Sequence, residues 1–536
     1  MKQLYITADI FDFITSYTNI DLYRQPNTMT KLHSQVLIVG GGFSGIATSI
    51  KLLKDWKVTD FHVYDRNEKF GGTWAANTYP GAASDIPAVW YCLASDPKID
   101  WESAYPSQQE LSEYIAGVVD KYGLKSFATF NSEIERIEWI PNERLWKATI
   151  AHNGNTITHT ARVLFMGQGC LVTPNHVKIK GMEDFQGPIM HTAEWKPFDY
   201  DNKDVVVIGN GCSAAQVTSE VAKTAKSVTQ FARSPQWIVP RTPVTIGPIL
   251  RTILSWFPFL IPVLRFFVFC LLEMNWNMFR GGWWSDFDRS MRTKVAVKIA
   301  KKNMPEKYHE TAIPKYQLGC KRIIFDCGYW AALKMESVLL TFDKLVEVGK
   351  NSVKDINGNQ YPADLIVDAT GFNIGRSMTS VDVIGENGMP LSEFWDGKVA
   401  AYETVMVPNY PNMFMLFGPN ATTGHNSVIF GIENGLKFVE SVASDVIQGR
   451  SDYVTVKPQA YDQWVQRIQA AIKQTNFATG GCVSWYMSVG EATHNAVSYP
   501  WTQLRFWWRA RFPHYDDIYV ENKSQKVTPG KAIKAE

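Results

Sequence analysis

The chain has no C-x-x-C pair, although it carries seven cysteines, at 92, 170, 212, 270, 320, 327 and 482. That absence excludes a zinc knuckle and a thioredoxin-type redox pair, and it argues against a disulfide reductase. With no local pairing pattern, the expected state is reduced thiols in the cytoplasm. An excess of one charge is lacking too. The 54 basic and 52 acidic residues leave a net +2, so neither a polyanion nor a nucleic-acid partner is implied. The N-terminus lacks a secretory pattern, because Asp9, Asp12 and Asp21 break up its apolar residues. Residues 1–33 are expected to form a loosely packed extension.

No apolar run reaches membrane-spanning length. The longest, Ile249–Leu272, has 13 uncharged residues between Arg251 and Arg265 and is broken by Pro258 and Pro262. A spanning helix wants roughly 20. The run reads as helical segments of an insertion. Three roles stay open for it: a buried hairpin, the wall of a substrate route, or a peripheral contact with an intracellular membrane, its two arginines at the headgroups.

What is present begins with size and aromatic content. A length of 536 residues suffices for two or three domains. Aromatics make up 13%, with 19 Trp, which suits a planar cofactor or an apolar substrate and equally an aromatic core. Gln35–Val39 reads as a strand, Ile46–Leu53 as a helix and Asp60–Tyr64 as a second strand. Ser107-x-x-Glu110 is a capping box ahead of Leu111, Ile115 and Val118. Strands are expected on both sides of the Asn153-Gly154 and Asn357-Gly358 turns. A second strand–helix–strand unit runs from Asp204 to Phe231, and Asp364–Ala369 is a further strand.

The fold class that follows is α/β, with two Rossmann-like dinucleotide-binding domains. The expected division is a first domain at 34–195, a second at 196–364 with a helical insertion at about 247–302, a return to the first at 365–520, and a tail at 521–536.

Gly40-x-Gly42-x-x-Gly45, enclosing Phe43 and Ser44, follows one strand and opens a helix. The first glycine permits the tight turn, the second lets backbone approach a pyrophosphate, and the third lets helix pack on strand. Asp65 ends the next strand, where a carboxylate suits ribose hydroxyls. Gly209-x-Gly211-x-x-Ala214, enclosing Ser213, repeats the pattern, but its next strand ends at Arg233-Ser234. A guanidinium fork there pairs with a 2′-phosphate, so the second site should prefer NADP(H) to NAD(H).

Gly71-Gly72-Thr73-Trp74, Tyr79-Pro80-Gly81-Ala82 and Asp85 bring in a family resemblance, as do Lys321-Arg322, Ala369-Thr370-Gly371-Phe372 and Ser484-Trp485-Tyr486. Between the two glycine turns, Phe185, Gly187, His191 and Trp195 match an F-x-G-x-x-x-H-x-x-x-W pattern, with Lys196 where Pro or Asp is usual. Over roughly residues 34–515 the chain resembles the flavin-dependent Baeyer–Villiger monooxygenases. Trp195 favours this branch over the related nitrogen- and sulfur-oxygenating enzymes.

The resemblance implies FAD in the first site, NADPH in the second, and a C4a-peroxyflavin that inserts oxygen next to a ketone carbonyl to give an ester or lactone. It assigns Arg322 as the active-site cation and Asp85 as the carboxylate that orients it. Gly72, Thr73, Trp74 and Tyr79 are on its reading cofactor-binding. Lys321 contacts NADP, and Trp485 lies near the nicotinamide end. His191 and Trp195 couple the two halves. The partners expected are O2 and a bulky apolar ketone. The alternatives are oxygenation of nitrogen or sulfur and a non-catalytic nucleotide-binding scaffold. Monomer and dimer are both compatible with the sequence.

Overall fold

The first sheet grows from the strand Lys31–Val39, whose Val36, Leu37 and Ile38 are fully buried. A parallel strand covered on both faces needs such an apolar run. It pairs with Phe61–Tyr64 on one side and Asn155–Met166 on the other. An antiparallel meander, Ser132–Ile140 to Leu145–His152 to Asn155–Met166, extends the sheet. Its Asn153-Gly154 turn has φ of 48° and 76°, the doubly left-handed geometry that tight hairpins require. The capping box forms as expected at the start of the helix Gln108–Lys121. Met413–Met415 then returns to pair with Leu164–Met166, and the helix Val428–Ile447 packs over Phe43–Lys51. The C-terminal third thus rejoins the first half. The computed structural model describes residues 31–241, 246–484, 486 and 494–522. The expectations for the N-terminal extension up to residue 30 and for the tail from residue 523 lie outside the described residues.

The second sheet is all-parallel, in the order Val338–Thr341, Ser227–Phe231, Asp204–Ile208, Leu365–Asp368, Ile189–His191. This corrects two expected domain boundaries. Ile189–His191 and Leu365–Asp368 were assigned to the first half, yet both hydrogen-bond into the second sheet. Gly187 shows how closely the entering chain is held, since a Cβ there would stand 2.3 Å from the Asp364 carbonyl oxygen. A small meander, Leu345–Val348, Ser352–Asp355 and Gln360–Pro362, hangs between the sheet strands and turns at Asn357-Gly358.

The insertion is helical, as expected, with helices Pro248–Trp256, Leu260–Met274 and Trp283–Asn303. Its first two helices leave the second half in sequence but pack on the first, whereas Trp283–Asn303 also packs on Ile238–Val239 of the second half. Arg265 donates to the backbone carbonyls of Val89 and Cys92. Glu273 accepts from the backbone of Gln503 and Leu504 and pairs with His425 at 2.8 Å. Phe269 packs on Trp90 and Phe430. The buried-hairpin option is overturned, because the outward faces of these helices expose Trp256, Phe259, Phe266 and Trp283. Through a short 3-10 turn, Leu260–Met278 forms one helical stretch long and apolar enough to cross a membrane.

Candidate active site

The first glycine turn is closed by the protein itself. Gly40 has φ of 95°, and a Cβ on Gly45 would lie 2.0 Å from the Gly40 carbonyl oxygen. Gly72, at φ 52°, packs on Gly42, and Gly71 N–H donates to Gly41. Thr73 and Trp74 start the short helix Thr73–Ala76, and the Trp74 indole donates to Tyr91 at 3.2 Å. Phe43 packs against Tyr91 and Tyr114, and Ser44 is buried in the first helical turn. No side chain caps the helix Phe43–Lys51, so its first-turn N–H groups are left for phosphate oxygens.

Asp65 is buried at the strand end. One carboxylate oxygen accepts from Gly41 N–H at 2.5 Å, and the other accepts from the backbone and side chain of Asn67. Burial raises its pKa, against the pull of these hydrogen bonds. Asp65 therefore braces the glycine turn.

The second turn is built for a different ligand end. Gly209, at φ 131°, leaves no room for a side chain beside the Ala369 carbonyl, and Ala214 is fully buried under the sheet. A Cβ on Gly211, in contrast, would meet no protein atom within 4 Å. The space it faces suits a pyrophosphate, again at an uncapped helix start. Arg233 is exposed at the end of the strand Ser227–Phe231 and has no ion-pair partner among the described residues. Lys321 comes from far along the chain, donates to the Ser234 hydroxyl at 2.9 Å and lies over the Tyr316 ring. Burial first, and then the Arg233 charge, lower the Lys321 pKa. Two cations and a hydroxyl without a carboxylate are the donor set a 2′-phosphate requires.

Arg322 meets Asp85 where the two halves join. Its Nε and Nη2 donate to the same Asp85 oxygen at 2.9 and 2.5 Å, and Nη1 donates to the Gly424 carbonyl at 3.2 Å. Burial alone would lower the Arg322 pKa, but the Asp85 carboxylate and Tyr486 beside it raise it, so the guanidinium stays charged. The Tyr486 pKa is pushed up to about 12 by burial, against the pull of Arg322, and burial pushes Cys212 up to about 12. Both therefore stay protonated at neutral pH. Arg322 and Asp85 line a cavity of about 690 Å³, whose other walls include Leu250, Leu271 and Phe279 of the insertion.

Comparison with known proteins places this arrangement. Residues 37–255 match the pyridine nucleotide-disulphide oxidoreductase family model. An FAD-binding monooxygenase, ktnD, from Aspergillus niger is 32% identical, covering 88% of this chain and 79% of the relative. A Baeyer–Villiger monooxygenase from Streptomyces coelicolor is 30% identical, covering 88% and 90%. The chain belongs to the flavin-dependent Baeyer–Villiger monooxygenases. The crystal structure of cyclohexanone monooxygenase from Rhodococcus sp. Phi1 bound to NADP+ shares the fold at a TM-score of 0.80 and 20% identity, covering 92% of this chain and 100% of that one. The protein is an FAD-dependent monooxygenase that uses NADPH. The residues at both glycine turns fit these cofactors.

The residues of the F-x-G-x-x-x-H-x-x-x-W pattern pack within the second half. His191 is buried; its Nδ1 accepts from Ala193 N–H, and its Nε2 donates to the Gly371 carbonyl at 3.1 Å. Phe372 packs edge-on against the same ring. Phe185 and Trp195 pack against cores of the second half. Tyr79, expected to bind a cofactor, sends its hydroxyl across to Gln216 at 2.7 Å and to Ser213 at 3.1 Å, and Gln216 in turn donates to the Ala83 carbonyl. Gln216 was not anticipated. Its signal was the one long polar side chain on the buried face of the helix Cys212–Val221.

Trp485 lies outside the described residues. The expectation that all seven cysteines are reduced is corrected, because Cys320 and Cys482 form a disulfide across 162 residues. No spacing rule reveals a pair that only the fold brings together. The bond ties the segment ahead of Lys321-Arg322 to the loop that carries Tyr486.

Proposed function

We propose that the protein inserts one oxygen atom between a carbonyl carbon and its neighbour in a bulky apolar ketone, giving an ester or lactone. The observation that carries this reading is the charged Arg322, clamped by Asp85, in the wall of an apolar cavity. FAD, once bound and reduced by NADPH, supplies the activation of O2. The chain must hold a developing oxygen anion and keep water away from it. Asp85 and Gly424 take three of the five guanidinium N–H donors, which fixes the fork and leaves the remainder for Tyr486 and the cavity. Neutral Cys212 and Tyr486 add no competing anion.

Cavity size and apolar walls support a large apolar substrate. With NADPH, a panel of bulky ketones should yield esters or lactones faster than a sulfide panel yields sulfoxides. Sulfoxide formation without any lactone would overturn the reading in favour of heteroatom oxygenation. Arg322→Ala should lower ester formation by roughly 10²–10³-fold. Flavin reduction by NADPH, followed by anaerobic bleaching, should change little in that variant.

A further inference from the structure

The insertion carries an apolar surface that oxygenation does not explain. Trp256 is 74% exposed, Phe266 65% and Trp283 80%, with Phe259, Phe267 and Phe287 also turned outward. Soluble monomers rarely leave so many large apolar side chains bare within one segment. The inner face of Leu260–Met274 is committed to the protein through Ile261, Arg265, Phe269 and Glu273, four residues apart in each case. A helix held along one side in this way lies flat on the body and cannot cross a bilayer.

Charge follows the same face. Residues 246–302 hold nine Lys and Arg against three Asp and Glu, a balance of +6 in a chain whose net charge is only +2. Arg251 and Arg265 are tied to backbone carbonyls, and Arg289 and Arg292 pair with Asp286 and Asp288. Arg280, Lys294, Lys298, Lys301 and Lys302 are exposed and have no ion-pair partner among the described residues. The cavity opens here as well, since Leu250, Leu271, Met291 and Val295 both line it and are exposed. Lys294 and Lys298 follow Met291 and Val295 by three residues, so the lysines flank the mouth on one helix face.

We infer that this face docks peripherally on an anionic lipid bilayer and that the cavity draws its apolar ketone from the lipid, the second part resting on the function proposed above. The aromatic rings sit at the acyl boundary and the lysines at the headgroups. A second protein copy seated here would close the mouth, whereas a bilayer leaves it facing a reservoir of apolar molecules.

The test floats the full-length, FAD-loaded protein with phosphatidylcholine vesicles, with and without phosphatidylserine. The protein should float with the anionic vesicles and less so in high salt. Lys294→Gln with Lys298→Gln should weaken partitioning roughly tenfold. Trp256→Ser, Phe266→Ser and Trp283→Ser together should abolish flotation, while NADPH still bleaches the bound flavin. A ketone supplied in vesicles should then show a several-fold higher KM in the triple variant, with a small water-soluble ketone unaffected; equal KM values overturn delivery from lipid. Docking is overturned if the protein stays unbound to both vesicle types at low salt. It is also overturned if the triple variant turns a dimer into a monomer by light scattering without altering flotation. Flotation needs no turnover, so a failure of ketone oxygenation strikes the proposed reaction and leaves the docking result intact.

Discussion

At the first nucleotide turn the charged residue that closes the strand–helix–strand unit is folded inward, with the Asp65 carboxylate holding the backbone of Gly41 and Asn67. At the second turn the corresponding Arg233 stands exposed, beside a Lys321 whose proton is loosened by burial and by the neighbouring positive charge. The first site uses its charge on the protein's own backbone and is shaped before any ligand arrives. The second keeps two like charges together, an arrangement favourable only when an anion joins them. The difference suits one nucleotide that stays and another that comes and goes.

The largest effect should come from attacking the closed cradle. Gly45→Ala would place a methyl group 2.0 Å from the Gly40 carbonyl oxygen. The strain should cost about 3 kcal/mol and eject the flavin. Flavin absorbance and the melting temperature read this directly, and a normal, yellow Gly45→Ala protein would break the comparison at its first term.

Next comes Arg233→Glu, which should raise the KM for NADPH roughly 10²-fold and leave that for NADH nearly unchanged. An unaltered preference would make Arg233 a solvated residue and remove the contrast.

A smaller effect concerns pH. The Lys321 pKa is lowered by burial and by Arg233, so its positive charge is lost at a lower pH than that of an exposed lysine. The KM for NADPH should therefore begin to climb earlier on the alkaline side, and Lys321→Arg should flatten that climb. Steady-state titration with a fixed ketone checks it.

Smallest of all, Tyr79→Phe removes the hydroxyl contacts to Ser213 and Gln216 that tie the two sites together. It should lower stability by about 1 kcal/mol without loss of flavin. Thermal melting followed by flavin fluorescence would show it.

Features whose chemistry is local were readable from the chain. The glycine turns, the Ser107–Glu110 cap and the Asn153-Gly154 turn each carry their reason within a few residues. The Arg322–Asp85 pair was readable only through the family resemblance, since neither residue type announces a partner 237 positions away. Leu365–Asp368 was recognised as a strand but assigned to the wrong sheet, because a uniformly apolar parallel strand carries no mark of its neighbours. The insertion inverted the usual rule. Its Arg265 and Glu273 face the protein while Phe259, Phe266 and Phe267 face outward, so a reading that buries every apolar residue and exposes every charge misplaces this helix.

The stretch Pro248–Met274 belongs to one half by sequence and to the other by contact, and this decides how the molecule can be recombined. A transplanted NADP half that carried residues 247–303 with it would strip Val89, Cys92 and Gln503 of the arginine and glutamate that satisfy their backbone. The graftable units are therefore the coenzyme sheet with Trp283–Asn303, and the flavin half together with its two borrowed helices. The cavity is lined from both pieces, by Val239 and Phe325 on one side and by Pro87 and Val89 on the other, so substrate range moves only when both are exchanged together.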